Sequence, residues 1–289
     1  MSLAQSTLVQ RIRYELGDRP WEDTGTASSG SSTITGASTG DWVEGDIGEF
    51  ITDGDTFRTV SETGGEITAT RSYWGTTGAA HGASSRILKN PRYAHVEIVN
   101  AISAVIQDKL WPLAWKKVAD TITPNPTVTL WYDLAADARA IIRAIQLYGA
   151  TDQIVGFYGV RHAAPRVIFE RNLDTSLVTS GVGVMFPDGF YHQTNAVSVD
   201  YAAKITDATT AGPSYPDISD GDAVVEAIIY GAVSHLEAAL ENRKPRKPRQ
   251  DRETLRGASM YDRMFREALN RANQELRDTI PIMRRVRHY

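Results

Sequence analysis

The chain has 289 residues, of which 42% are hydrophobic and 23% charged, a composition that excludes wholesale disorder, a collagen-like repeat and a coiled coil. The lack of cysteine excludes disulfides, thiolate metal sites, iron–sulfur clusters and a cysteine nucleophile. The formal charge of -4 is unevenly divided: the first 242 residues carry a net -12, whereas residues 243–289 hold 14 Lys and Arg against 6 Asp and Glu, a net +8.

The size predicts one elaborated domain or two modules that share a core. No apolar run approaches the roughly 20 residues needed to cross a bilayer, and polar residues stand near the start where a signal peptide would carry its apolar block. We therefore expect no membrane partner and no export by a signal peptide.

Residues 1–17 form the first predicted helical element. Ser2 has the side chain of an N-cap, Gln5 follows three positions later, and Gly17 would end the helix. Its one apolar face consists of Leu8, Val9, Ile12 and Leu16. A face this narrow predicts packing on other helices.

Residues 18–89 form a predicted β-rich module, because the composition changes to Gly, Ser and Thr. Its β-like runs are ITGAS, DWVEGDIGEFI, TFRTV and GEITATRSYW. Their spacing predicts a small antiparallel sheet or barrel. The triplet Asp53, Gly54 and Asp55 fits a hairpin turn better than a calcium loop, because the other oxygen ligands of such a loop are not in register.

Residues 90–117 contain the most regular helix of the first half. Asn90 is the expected cap and Pro91 the first helical residue, and Pro112 disrupts the pattern. Apolar residues at helical spacing are Ile98, Ile102, Val105, Ile106 and Leu110.

Residues 118–212 form a second predicted β-rich region. Alternation over 127–134 predicts a half-buried strand, and further runs are RVIFE, SLVTSGVGVMF and NAVSVDYAAKI. Residues 138–148 fit the period of a strand and the period of a helix, so periodicity leaves that segment undecided.

Residues 213–280 contain two predicted helices, over 220–242 and 251–280. The apolar face of the first carries Val225, Ile228, Ile229, Ala232, Leu236, Ala239 and Leu240. That of the second carries Tyr261, Met264, Phe265, Ala268, Leu269, Ala272 and Leu276. Between them, RKPRKPRQ predicts an exposed basic turn, because its prolines remove backbone donors and its like charges repel. Residues 281–289 follow as a basic tail.

These elements predict an α+β fold. We expect a helical bundle built from both termini and the 91–111 segment, with inserted antiparallel β-rich regions.

Catalytic and metal-binding signatures are scarce. The six histidines never have the i, i+4 spacing of a helical zinc pair, and neither GxxxxGK[ST] nor GxGxxG occurs. We therefore predict no enzymatic activity, no cofactor and no metal site.

Three stretches between residues 33 and 147 resemble the head-to-tail adaptor proteins of tailed bacteriophages, also called connector or head-completion proteins. The first is TITGASTGDWVEGDIGEFITDGDTFRTV, with a W-x-x-G-D start. The second is EITATRSYWGTTGAAHGASSRILKNPRY, with the pattern R-x-Y-x-G-T-T-x-A-A-H, and the third is ITPNPTVTLWYDLAADARAIIRAIQL. None of these is an active-site motif.

The resemblance implies a structural virion protein, made in the host cytoplasm and located in the neck of the particle. Proteins of this family form rings, commonly of twelve copies, beneath the portal and around the DNA channel. The implied partners are further copies of the chain, the portal protein, a tail or stopper protein, and genomic DNA that passes without sequence recognition.

In this setting the basic C-terminal residues are the predicted contact sites. The candidates for docking on the portal combine apolar groups with Arg forks, and they are Ile282, Met283, Arg284, Arg285, Val286, Arg287 and Tyr289. The candidates in the basic turn, for contact with a partner or DNA, are Arg243, Lys244, Arg246, Lys247 and Arg249.

Two other functions stay open from the sequence. A tail-associated carbohydrate-binding or hydrolytic protein would use the aromatic residues of the β regions, which are Trp42, Tyr73, Trp74, Trp131 and Tyr132. A non-specific DNA-binding protein would use the basic residues and would bind with steep salt dependence.

Overall fold

A computed structural model describes residues 2–18, 21–36, 41–111, 113–123, 131–146, 167–186, 197–208, 214–243 and 251–278. The chain divides into two compact units. Unit 1 comprises Met1–Leu110 and Thr206–Glu275, and unit 2 comprises Trp111–Ile205 and Leu276–Tyr289.

A closed, antiparallel, six-stranded barrel forms one part of unit 1. Its strands are β2 (Trp21–Ala27), β3 (Thr33–Thr35), β4 (Ile47–Phe50), β5 (Thr56–Thr63), β6 (Glu66–Arg71) and β7 (His81–Lys89). The spatial order is β2-β3-β6-β5-β4-β7, and β7 closes the barrel by pairing with β2. The range in which the sequence predicts a sheet or barrel therefore holds a barrel.

Alternating side chains fill this barrel. Its buried core consists of Ala27, Ile34, Trp42, Phe50, Phe57, Ile67, Ala69 and Ile87. Gly48 leaves room for the ring of Phe57, since a Cβ at Gly48 would lie 2.0 Å from that ring. Position 48 of β4 therefore requires glycine, because any side chain there would collide with the Phe57 ring.

Helices form the other part of unit 1. They are α1 (Gln5–Glu15), α2 (His95–Ala104), α3 (Ala223–Arg243) and α4 (Asp251–Asp278), and a π-helical turn over Val105–Lys109 extends α2. Short strands β1 (Leu3–Ala4) and β14 (Ser214–Tyr215) pair next to them. The buried face of α3 includes Val225, Ile228, Ile229, Ala232 and Leu236, and that of α4 includes Phe265, Ala268, Leu269 and Ala272.

Unit 2 consists of two three-stranded antiparallel sheets. One has the order β10-β13-β8, from Ala138–Gln146, Val197–Ala203 and Lys116–Ile122. The other has the order β11-β12-β9, from Ile168–Arg171, Val182–Met185 and Tyr132–Asp133. Both sheets contribute to one core, which includes Leu134, Val184, Val197, Val199 and Tyr201. Residues 138–146, undecided from the sequence, are therefore a strand.

The prediction of a helical bundle with inserted β regions was wrong. The described residues hold fourteen strands and only four α-helices, and the closed barrel is a defining part of the architecture. The error has a physical origin, because barrel closure depends on pairing β2 with β7, roughly sixty residues apart in sequence. In sequence, neither β2 (WEDTGTA) nor β7 (HGASSRILK) shows clean alternation of apolar and polar residues, so local periodicity does not reveal these strands.

The predicted start of the first helix was also wrong. Helix α1 begins at Gln5, and Ala4 precedes it without any side-chain cap. Ser2 lies outside the helix because the next residues, Leu3–Ala4, pair with Ser214–Tyr215 as a strand.

The predicted cap of the second helix was wrong for a similar reason. Asn90 has a left-handed φ of 49°, and its side-chain oxygen accepts the N–H of Ile47 at 2.8 Å. It therefore fastens the end of β7 to β4, and α2 begins five residues later at His95. Glu97 accepts the N–H of Ala94 at 3.2 Å and supplies the start signal.

Candidate functional site

The predicted docking residues lie almost entirely outside the described part of the chain. Lys244, Arg246, Lys247 and Arg249 of the basic turn fall there, as does the whole tail over 281–289. Arg243 is the last residue of α3, and its side chain is also outside the description. Their roles stay predictions. The described residues contain other candidate sites, which are two buried polar clusters, an aromatic loop and a cleft.

A buried ionic cluster joins the barrel to the helices. Arg13 of α1 donates from Nη1 to Asp18 at 2.7 Å and from Nη2 to Glu49 of β4 at 2.6 Å. All three residues are buried, Glu49 to 1% exposure. With His95, whose backbone N–H donates to Glu49 at 2.7 Å, they form what we call the junction cluster.

The same carboxylates organise the segment that leads into α2. Asp18 accepts the backbone N–H of Arg92 at 3.0 Å and of Tyr93 at 3.4 Å. Glu49 accepts that of His95, the first residue of α2, so a barrel residue provides negative charge at a helix N-terminus. The cluster therefore connects α1, β4 and α2.

Burial changes the titration of two members of this cluster. It raises the pKa of Glu49 to about 7 from 4.5, and the nearby charge of Asp18 acts in the same direction. It lowers the pKa of His95 to about 4 from 6.5, helped by the positive charge of Arg13. The His95 ring also packs on the turn at Gly54, where a Cβ would lie 2.4 Å from the ring.

A second buried polar group lies within the barrel. Asp55 accepts from Arg71 and lies 3.1 Å from Nε2 of His81. The His81 ring stacks on Phe50 with centroids 3.6 Å apart. Arg71 also donates to the carbonyl of Ala79 at 2.6 Å, so these residues connect the turn before β5 with β6, β7 and the loop between β6 and β7.

That loop carries two adjacent aromatic residues, the half-buried Tyr73 and the exposed Trp74, which we call the aromatic tip. Trp74 is 48% exposed. Its φ of 55° is in the left-handed region, and so is the φ of 59° at Ser72. The two aromatic rings are 5.5 Å apart. A bulky residue in this backbone region is an outlier, and such outliers concentrate at functional positions.

The remaining aromatic candidates from the sequence have other roles. Trp42 is buried and donates its indole N–H to Asp23 at 2.8 Å. Tyr132 packs against the core of unit 2, where its ring meets that of Phe186. Trp131 is half-buried and lies just before β9. Only the aromatic tip offers an exposed indole among the five.

A cleft of about 190 Å³ lies between α2 and α3. Its lining comprises Tyr93, Glu97, Asn100, Ala101, His235, Leu236 and Ala239. Glu97 already accepts the N–H of Ala94 at the start of α2. The other polar side chains of the lining include His235 and Asn100, and its apolar residues include Ala101, Leu236 and Ala239. This lining contains no nucleophile held by a base.

Comparison with protein-family models and with curated proteins gives no match to this chain. Across the described ranges, no group of three or more His, Cys, Asp or Glu side chains is arranged to hold a metal ion. In the same part of the chain, no helix has the length and apolarity needed to cross a bilayer.

Sequence reasoning missed the junction cluster. Arg13 follows Ile12 and lies four residues after Val9, so it sits at the edge of the apolar stripe of α1. A cation at that position is the available signal for a buried ion pair. Its partner Glu49 lies 36 residues away in a strand, and no spacing rule connects the two.

Replacing Arg13 with Met should lower the free energy of unfolding by about 3–5 kcal/mol, because Asp18 and Glu49 would stay buried without their cation. Urea denaturation measures this change. Arg11→Met is the matched control, since Arg11 pairs with Asp220 on the surface at 2.7 Å, where a pair contributes about 0–1 kcal/mol. Equal losses for the two variants would contradict a special role for Arg13.

The two shifted groups should give opposite pH dependences of stability. The raised pKa of Glu49 stabilises the fold below pH 4.5, and this contribution, roughly 3 kcal/mol, is lost as the pH rises to about 7. The lowered pKa of His95 stabilises the fold above pH 6.5, and that contribution is lost as the pH falls to about 4.

Single variants should separate these contributions in urea unfolding between pH 4 and 8. Glu49→Gln should lose stability on acidification more steeply than the native chain, because the slope from His95 is no longer offset. His95→Gln should instead lose stability as the pH rises. Unchanged slopes in both variants would contradict these assignments.

Proposed function

We propose that this chain is a structural subunit of the neck of a tailed bacteriophage, an adaptor that forms a ring beneath the portal and links the capsid vertex to the tail. The proposal assigns no enzymatic step. One observation supports it most directly. Residues of two of the sequence patterns that resemble phage adaptors hold the barrel together.

The W-x-x-G-D pattern corresponds to a folded corner of the barrel. Its tryptophan, Trp42, closes the barrel core and binds Asp23. Its aspartate, Asp46, accepts the N–H of Val43 at 2.9 Å and the side-chain amide of Asn90 at 2.8 Å. The pattern therefore describes a specific hydrogen-bonded feature rather than a local composition.

The second pattern, R-x-Y-x-G-T-T-x-A-A-H, spans the loop between β6 and β7, and its two ends lie in the polar interior of the barrel. It begins at Arg71 and ends at His81, and both contact the carboxylate of Asp55. Its first threonine, Thr76, accepts the N–H of Thr56 at 3.0 Å. Both patterns thus contain the residues that maintain the barrel, which supports a resemblance at the level of this module.

The junction cluster supports an assembling role for unit 1. Closure of a ring requires that each subunit present its two contact surfaces at a fixed angle. A buried cation held by carboxylates from two elements fixes the barrel to the helices. The net -12 of the first 242 residues further supports placing acidic surface toward the channel, where it repels DNA and lets it pass.

We expect the chain to form a closed ring when mixed with purified portal. Mass measurement of the complex and electron microscopy of the same sample would give the copy number and the symmetry. A single copy bound to portal, or a fibre-like trimer at a tail tip, would refute the adaptor function. A channel lined mainly by Lys and Arg would refute the placement of the acidic surface.

Deletion of residues 281–289 should weaken binding to portal while the chain stays folded, because the described helices end before this segment. The deleted residues include the apolar groups and the Arg forks predicted to dock. Portal binding at equal salt and thermal unfolding of the truncated chain measure the two expectations. Undiminished binding would shift the docking role to the basic turn over 243–249.

A further inference from the structure

The aromatic tip is held in its exposed position by a network of hydrogen bonds. The carbonyl of Tyr73 accepts from the hydroxyl of Thr56 and, at 3.0 Å, from that of Thr76. The hydroxyl of Ser72 accepts the N–H of Gly78 at 3.0 Å. These bonds over-determine an unfavourable backbone conformation, so the indole is preorganised in solvent.

The second loop beside the tip is also fixed. Gly30 donates its N–H to the carbonyl of Gly78 at 3.3 Å, and the hydroxyl of Ser29 donates to the same carbonyl at 3.3 Å. Arg71, at the start of the loop between β6 and β7, also donates to the carbonyl of Ser28 in the loop after β2 at 3.2 Å. The aromatic tip therefore stands beside a serine-rich and glycine-rich surface of defined geometry.

This surface is uncharged. The segments SSGSS over 28–32 and SYWGTTGAA over 72–80 contain no acidic or basic residue. The side chain of Arg71 is 5% exposed and is neutralised by Asp55. Trp74 is 48% exposed, and its indole N–H has no hydrogen-bond partner among the described residues, so it is available to a ligand.

We propose that the aromatic tip binds a neutral saccharide. The C–H face of a pyranose ring stacks on an aromatic ring, and its hydroxyls pair with neutral donors and acceptors such as the tips of Trp and Tyr and the hydroxyls of Ser and Thr. An anionic ligand would find no exposed cation here. A protein partner would require a broader apolar surface around its aromatic anchor, whereas the two loops consist, apart from Tyr73 and Trp74, of Ser, Thr, Gly and Ala.

This binding goes beyond the ring function and is independent of it. An adaptor that holds a sugar at a barrel loop would contact a glycan without using the surfaces that close the ring. Loss of one activity therefore does not entail loss of the other.

The test uses the full chain and five hexasaccharides as probes. Four are neutral, the α-1,4 and β-1,4 glucose, the mannose and the β-1,4 N-acetylglucosamine hexamers, and the anionic galacturonate hexamer is the fifth. Saturation-transfer NMR detects contact and calorimetry gives the affinity. At least one neutral hexamer should bind more tightly than the anionic one, and its ring protons should receive saturation from irradiated aromatic protons of the protein.

Variants at the tip locate the site. Trp74→Ala should weaken binding by about tenfold or more, and Trp74→Phe should retain most of it because a ring remains. Leu177→Ala is the control, since Leu177 is another exposed apolar side chain and lies in unit 2. Trp74→Gly should abolish binding yet unfold at the same or a higher temperature, because Gly adopts the left-handed conformation without strain.

Three outcomes would overturn the proposal. The first is that no neutral hexamer binds at millimolar concentration, and the second is that binding survives Trp74→Ala unchanged. The third is that Trp74→Ala weakens ring formation or portal binding while no sugar binds, which would make the tip a protein contact.

Discussion

The guanidinium of Arg13 is the interaction on which the arrangement of unit 1 depends. It lies between Asp18 and Glu49, and those carboxylates in turn bind backbone N–H groups at and before the start of α2. One buried cation thus sets the positions of a helix, a barrel strand and a second helix. Two carboxylates share this single cation in a site with little solvent, and the raised pKa of Glu49 is the electrostatic consequence of that burial and imbalance.

The barrel depends on polar groups as well as on its apolar core. Asp55 binds Arg71 and His81 inside it, and Asp46 connects β4 to the end of β7 through Asn90. Buried polar networks of this kind specify one geometry, because each partner left unpaired is costly. Asp46 of the W-x-x-G-D pattern, and Arg71 and His81 at the two ends of the second pattern, are members of these networks.

Much of the helical part could be predicted from sequence. The buried positions of α3, such as Val225, Ile228 and Ala232, follow from spacing alone, because a helix repeats its contacts within a few residues. The architecture could not, since the pairing of β2 with β7 and of Arg13 with Glu49 joins residues far apart in sequence. The aromatic tip occupies an intermediate position: sequence identified Tyr73 and Trp74 as candidates, but not which of the five aromatic residues is exposed.

Closure of the barrel also determines which backbone groups this module can offer to another molecule. An open sheet leaves a row of unpaired amides and carbonyls at its edge, and such rows pair readily with those of a neighbouring molecule. The pairing of β7 with β2 removes that row from this module. At high concentration of the chain, this closure protects one barrel from exchanging strands with another, so contacts through this module would depend on side chains and loops rather than on an open strand edge.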